Sequence, residues 1–163
     1  MTVDETFQML LKSYKRYYNI KTEDVAEPFA AEAVFHTHDE QYFLVKAARL
    51  AEADAHEYVF FVTADEINLT EVQSLDETAW MEGLSRVVPH VNHRSSDITL
   101  IILAEHISAD AAEYIKRVKR YKSYRHTLQG WSNYSLVAME TSTGGFFSNR
   151  RGRNLKKLFS NIK

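Results

Sequence analysis

At 163 residues the chain has the length of one domain rather than two, and its 45% hydrophobic and 26% charged residues match ordinary globular usage, so a core can form without covalent staples. The lack of cysteine excludes disulfides, thiolate metal sites and cysteine nucleophiles, while only 5 Gly and 2 Pro argue against collagen-like, linker-rich and propeller designs. The net charge of -2 conceals a division: residues 1–113 hold 8 Lys and Arg against 21 Asp and Glu, whereas residues 114–163 hold 12 Lys and Arg against Glu140 alone.

Thr2 and Glu5 have capping-box spacing, and Phe7, Leu10, Leu11, Tyr14, Tyr17 and Tyr18 follow at helical intervals, so the chain opens on an amphipathic helix. Charges run throughout this helix, unlike a signal or transit sequence. Lys21 to Pro28 reads as a loop. Three segments rich in β-formers come next, Ala31 to Thr37, Gln41 to Leu50 and Glu57 to Thr63, and an antiparallel meander joins them most economically. The Ala-rich stretch Ala47 to Ala55 also suits a helix. Thr70 starts a second helix with Val72, Leu75, Ala79, Trp80, Leu84, Val87 and Val88 on one stripe, ending before Pro89. Ile98 to Ala104 is continuously apolar, as expected of a central strand covered on both faces.

Ser108 caps a third helix, acidic at Asp110 and Glu113 and basic from Lys116 to Lys122, in agreement with the helix dipole. Tyr134 to Thr141 is a further strand. Gly144 and Gly145 turn the chain into Phe146 to Asn149, and a short basic helix closes it with Leu155, Leu158, Phe159 and Ile162 on one side. This order predicts a single α+β domain over residues 1–163, with a mixed, mainly antiparallel sheet of about five or six strands flanked by helices. The longest apolar run falls well short of the roughly 20 residues of a membrane helix, which points to a cytoplasmic protein with no membrane partner.

Three groups of residues carry candidate chemistry. His36 and His38 share one face of a strand, and His56 starts a neighbouring strand; with Asp39 or Glu40 they could complete a divalent-metal site, but the solvent side of a hairpin beside an acidic turn is the favoured reading, because the glycine-flanked context of a His-x-His metal site is absent. His90 and His93 lie in the loop before the central strand. Glu105 and His106 follow that strand, where an open sheet usually presents its chemistry. The strand order after the first helix resembles that of restriction-endonuclease-like domains, but Glu57-Tyr58-Val59 has valine where their acidic-x-Lys pair has lysine.

The third group is the basic C-terminal third. Lys116 to Arg125 interleaves Lys116, Arg117, Lys119, Arg120, Lys122 and Arg125 with Tyr121 and Tyr124, and Arg150, Arg151 and Arg153 with Lys156 and Lys157 form a second cluster. Cations neutralise phosphates and tyrosine rings stack on unpaired bases, so this mixture suits a polyanion such as nucleic acid, or an acidic protein. Internal compensation by the acidic part of the chain, or a head-to-tail contact between protomers, accounts for the same charges. Dinucleotide, phosphate-loop, nucleophile-elbow and His-Glu-x-x-His signatures are all missing.

The stretches Ala33 to Lys46 and Tyr121 to Ser132 resemble those of a family of small bacterial proteins of unknown function, over most of the chain. The resemblance implies a compact bacterial cytoplasmic protein and brings no activity, cofactor or catalytic residue. The expected function is therefore a non-catalytic binding module that uses the basic third. The alternatives are a metal-dependent hydrolase or nuclease centred on His36, His38 and His56, and a self-associating structural protein.

Overall fold

A computed structural model describes residues 1–36, 54–87, 93–125 and 130–162. Among these, the chain forms four α-helices, seven strands and one 3₁₀ turn. Helix α1 (Val3–Lys15) starts at the capping box: Thr2 Oγ1 accepts from the Glu5 amide at 3.1 Å, and the Thr2 amide donates to Glu5 Oε2 at 2.8 Å. Strands β1 (Asn19–Lys21), β2 (Ala31–His36) and β3 (Asp54–Ile67) follow, then α2 (Leu69–Ser85), β4 (His93–Ile107), α3 (Ala109–Arg117), β5 (Tyr121–Ser123), β6 (Trp131–Glu140), β7 (Gly145–Ser148), the 3₁₀ turn Arg151–Leu155 and α4 (Lys156–Ile162).

The sheet order is β1-β2-β3-β4-β6-β5, with β7 also on β6. The expected mixed α+β architecture is present. Four of the six pairings are antiparallel, while the two longest, β3 with β4 and β4 with β6, are parallel. Parallel neighbours need crossover connections, and α2 and α3 supply them. As expected, β4 is central. Ile98, Leu100 and Ile102 pack under α2 and α3, while Ile101 and Leu103 pack under α1 and α4, all fully buried. The alternation of side chains along a strand thus feeds two separate cores from one apolar run. Over β4 the α2 backbone lies so close at Gly83 that a Cβ there would meet the Ile98 side chain at 2.6 Å.

Three features depart from the sequence reading. β2 pairs directly with β3, from Ala31 opposite Phe61 to His36 opposite His56, whereas the meander expected a strand between the two; the expected strand Gln41 to Leu50 lies outside the described residues. The polar segment Asn19–Lys21 is a strand, held antiparallel on β2. Helix α3 ends at Arg117 instead of running on to Lys122: Val118 is extended, with φ -61° and ψ 131°, and Tyr121–Ser123 pairs with β6. No helix among the described residues is long and apolar enough to cross a membrane.

A candidate polyanion-binding groove

The outer edge of β6 has two short partners, β5 at Trp131–Asn133 and β7 at Val137–Glu140. Between them the backbone from Tyr134 to Leu136 needs another partner, since a buried peptide group without one costs about 1–3 kcal/mol. Asn149, only 2% exposed, fills the gap. Its own amide donates to the Leu136 carbonyl at 3.0 Å. Its side-chain Oδ1 accepts from the Leu136 amide at 3.1 Å and from the Gly152 amide at 2.9 Å. Nδ2 donates to the Tyr134 carbonyl at 3.1 Å and to the Val118 carbonyl at 3.2 Å. One carboxamide thereby uses its full capacity of two donors and two acceptor positions.

The consequence is positional. Val118 is the residue where α3 stops, and Gly152 lies in the turn that carries Arg150, Arg151 and Arg153. Both are tied to β6 through the same side chain. Gly152 must be glycine for this approach: a Cβ would meet Val137 Cγ2 at 2.8 Å and the Leu136 carbonyl oxygen at 2.9 Å.

A second anchor fixes the segment that carries Arg120. Asp76, on α2, is fully buried and takes both Arg120 Nε at 3.1 Å and Nη2 at 3.0 Å, together with the Tyr114 hydroxyl at 2.5 Å. Such a bidentate pair satisfies a carboxylate that would be costly to bury alone. Burial, then the hydrogen bond to Asp76, pushes the Tyr114 hydroxyl up to about 12, and Arg120's own hydrogen bonds to Asp76 raise its guanidinium further.

Between these anchors lies a groove of about 880 Å³, lined by Lys116, Arg117, Lys119, Arg120 and Tyr121 together with Asn133, Tyr134, Asn149, Arg150, Arg151 and Asn154. Two basic segments far apart in sequence thus meet in one groove. Of the residues expected to contact a polyanion, Lys119, Arg120, Tyr121, Arg150 and Arg151 line the groove. Lys122, Tyr124, Arg125, Arg153 and Lys156 do not. Lys122, Arg125, Arg153 and Lys156 are exposed nearby, and Tyr124 is half-buried with its hydroxyl 2.9 Å from Ser132 Oγ.

Internal compensation is partial. Glu113 pairs with Lys116 at 3.1 Å and Arg117 at 3.9 Å, and Asp97 with Arg151 at 3.7 Å, all on solvent-exposed side chains where such pairs contribute little. Arg120 is the cation held by a buried acid. Lys119, Lys122, Arg125, Arg150, Arg153, Lys156 and Lys157 have no acidic partner among the described residues.

Beside the groove, Glu57, Asp97 and Asn133 stand in one row across β3, β4 and β6. Asn133 Nδ2 donates to Asp97 Oδ1 at 3.1 Å, and Glu57 accepts from the Tyr18 hydroxyl and from Thr99 Oγ1 at 3.4 Å. Burial pushes the Glu57 carboxyl above its ordinary value of 4.5, and Asp97 adds to the shift against the opposing hydrogen bond from Tyr18.

His36 is opposite His56 in the β2–β3 ladder, the His56 ring stacks on Tyr58 at 6.2 Å, and His38 lies outside the described residues. Among the described residues no three or more His, Cys, Asp or Glu gather around a possible metal position. His90 also falls outside them, and His93 is the first residue of β4. Glu105 and His106 belong to β4 itself rather than to a segment after it; His106 Nε2 is 3.7 Å from Glu105 Oε1, both well exposed. Glu105 borders an open crevice of about 770 Å³ with Thr63, Asp65, Thr141, Ser142 and the start of α1.

Sequence reasoning passed over Asn149, Asp76 and Asp97. Asp76 did leave a signal, a lone acid four residues after Val72 on an otherwise apolar helical stripe. Asn149 left none beyond its place before Arg-Arg-Gly.

Over residues 2–161 the chain matches the model of a family described as Domain of unknown function (DUF8052). It belongs to that family. The match spans both basic segments of the groove and brings no activity with it. No curated protein and no solved structure matches the chain.

Asn149→Ala leaves four backbone groups unpaired and is expected to cost about 2–4 kcal/mol in urea denaturation, with Asn149→Asp no milder because it replaces the nitrogen that makes both donor bonds by an oxygen that repels the two carbonyls. A loss under about 0.5 kcal/mol for both would contradict the role given to this side chain.

A second prediction concerns Glu57. Because its folded-state value is raised, the folded chain holds this proton more tightly than the unfolded chain. The resulting stabilisation is complete below the ordinary value of 4.5 and disappears as the pH climbs through the raised one. Wild type should therefore lose stability over that interval while Glu57→Gln does not, so the gap between their unfolding free energies changes with pH. Parallel pH profiles would show that Glu57 titrates as it does in water.

Proposed function

We propose that this chain is a non-catalytic binding module whose basic groove takes a phosphate-bearing polyanion. One observation carries the reading: the segment from Lys116 to Tyr121 and the turn at Arg150 and Arg151 line a single groove. Cations gathered in one cleft reinforce one another's field and lower the cost of drawing an anion out of water. Exposure of Lys119 and Arg150 without acidic partners among the described residues leaves them available for phosphate oxygens. Arg120, by contrast, contributes to the potential but is held at Asp76.

Counterion release is the signature of such binding. With about five phosphate contacts, affinity for inorganic polyphosphate should fall roughly 100-fold between about 50 and 200 mM salt. Combined Arg150→Glu, Arg151→Glu and Arg153→Glu changes should weaken it by at least about tenfold and flatten the salt dependence. Isothermal titration in both salts reads both effects; binding that ignores salt and charge reversal alike would remove the proposal.

A further inference from the structure

Among the aromatic residues of the basic third, the structure separates two that the sequence puts on equal terms. Tyr124 is pinned by the contact of its hydroxyl with Ser132, and Lys122 Nζ covers its ring at 5.4 Å from the centroid. Tyr121 is different. It is 55% exposed on the edge strand β5, lines the groove beside Lys119 and Arg120, and has no aromatic or cationic contact among the described residues. Its backbone is held opposite Asn133 in the β5–β6 ladder, so the ring is presented from a fixed position.

A large ring left to water within a cationic groove is an energetic liability that a phosphate chain alone does not relieve, because phosphate has no apolar face. An unpaired base does relieve it: its π-face stacks on the ring while the adjoining phosphates meet the cations. Bases in a duplex are already stacked and paired, with no face to offer. The groove, about 880 Å³, falls within the roughly 300–1,000 Å³ of sites that enclose small ligands, which suits a few nucleotides of one strand.

We infer that the polyanion is single-stranded nucleic acid, with one base stacked on Tyr121 and its flanking phosphates on Lys119, Arg150 and Arg151. This rests on the groove being a polyanion site, and the probes are chosen to separate the two ideas. Fluorescence anisotropy would compare ten-nucleotide oligo-dT and oligo-rU with a duplex of the same length, and titration calorimetry would follow inorganic polyphosphate. The single strands should bind more tightly than the duplex, and whichever of the two binds better identifies the sugar. Tyr121→Ala should weaken single-strand binding about 5- to 150-fold, Tyr121→Trp should restore it, and polyphosphate affinity should be the same in all three proteins. That last arm also reports that the variants remain folded. Single-strand affinity indifferent to Tyr121→Ala, or duplex binding as tight as single-strand binding, overturns the inference while the polyanion groove stands. If none of the probes binds, polyphosphate included, both ideas fall together.

Discussion

The carboxamide of Asn149 is the constraint on which the arrangement of charge in this protein depends. β6 has an edge that neither β5 nor β7 covers between Asn133 and Val137, and a sheet edge inside a folded chain must be paired by something. A third strand would have filled the gap and closed the surface. A single asparagine fills it instead, and its two remaining hydrogen bonds reach out to the end of α3 and to the turn before α4. Sheet pairing and the assembly of the groove are therefore one event. Gly152 permits the close approach and Asn149 makes it favourable.

Asp76 complements this from α2. Charges of one sign crowded at a surface repel, and the crowding is tolerable when part of it is balanced at low cost. Arg120 is balanced by a fully buried carboxylate that also orders Tyr114, so this cation stiffens the segment leading into β5. Exposed pairs with Glu113 and Asp97 balance others weakly. The remaining cations stay in solvent, and the basic third is thus partly structural and partly open. The acidic excess of the first two-thirds does not fold back over it among the described residues, beyond these few contacts.

Much of the architecture was legible in local sequence. The capping box at Thr2 and Glu5, the doubly buried strand around Ile101, the α2 stripe from Val72 to Trp80 and the turn at Gly144, with its φ of 77°, are each dictated by residues within a few positions of one another. The end of α3 was not legible. Nothing between Lys116 and Lys122 breaks a helix; the chain leaves it because the Val118 carbonyl accepts from Asn149 Nδ2 and Arg120 is drawn to Asp76, partners 31 and 44 residues away. Strand β1 was missed for a related reason, since a segment with two polar residues around a single Ile20 becomes a strand only when an edge is offered to it. For the site, composition located the basic clusters, but only the fold decides that Lys119 and Arg151 share a groove while Lys156 does not.

The most direct test looks at Asn149 itself by nuclear magnetic resonance. If its carboxamide bonds to four backbone groups, its two Nδ2 protons will give separate, slowly exchanging signals with Overhauser contacts to both Val118 and Tyr134, and the Gly152 amide will be protected from solvent. Rapidly exchanging Nδ2 protons with neither contact, in a protein otherwise folded, would mean that something else joins the two basic segments and that the groove as described here does not hold.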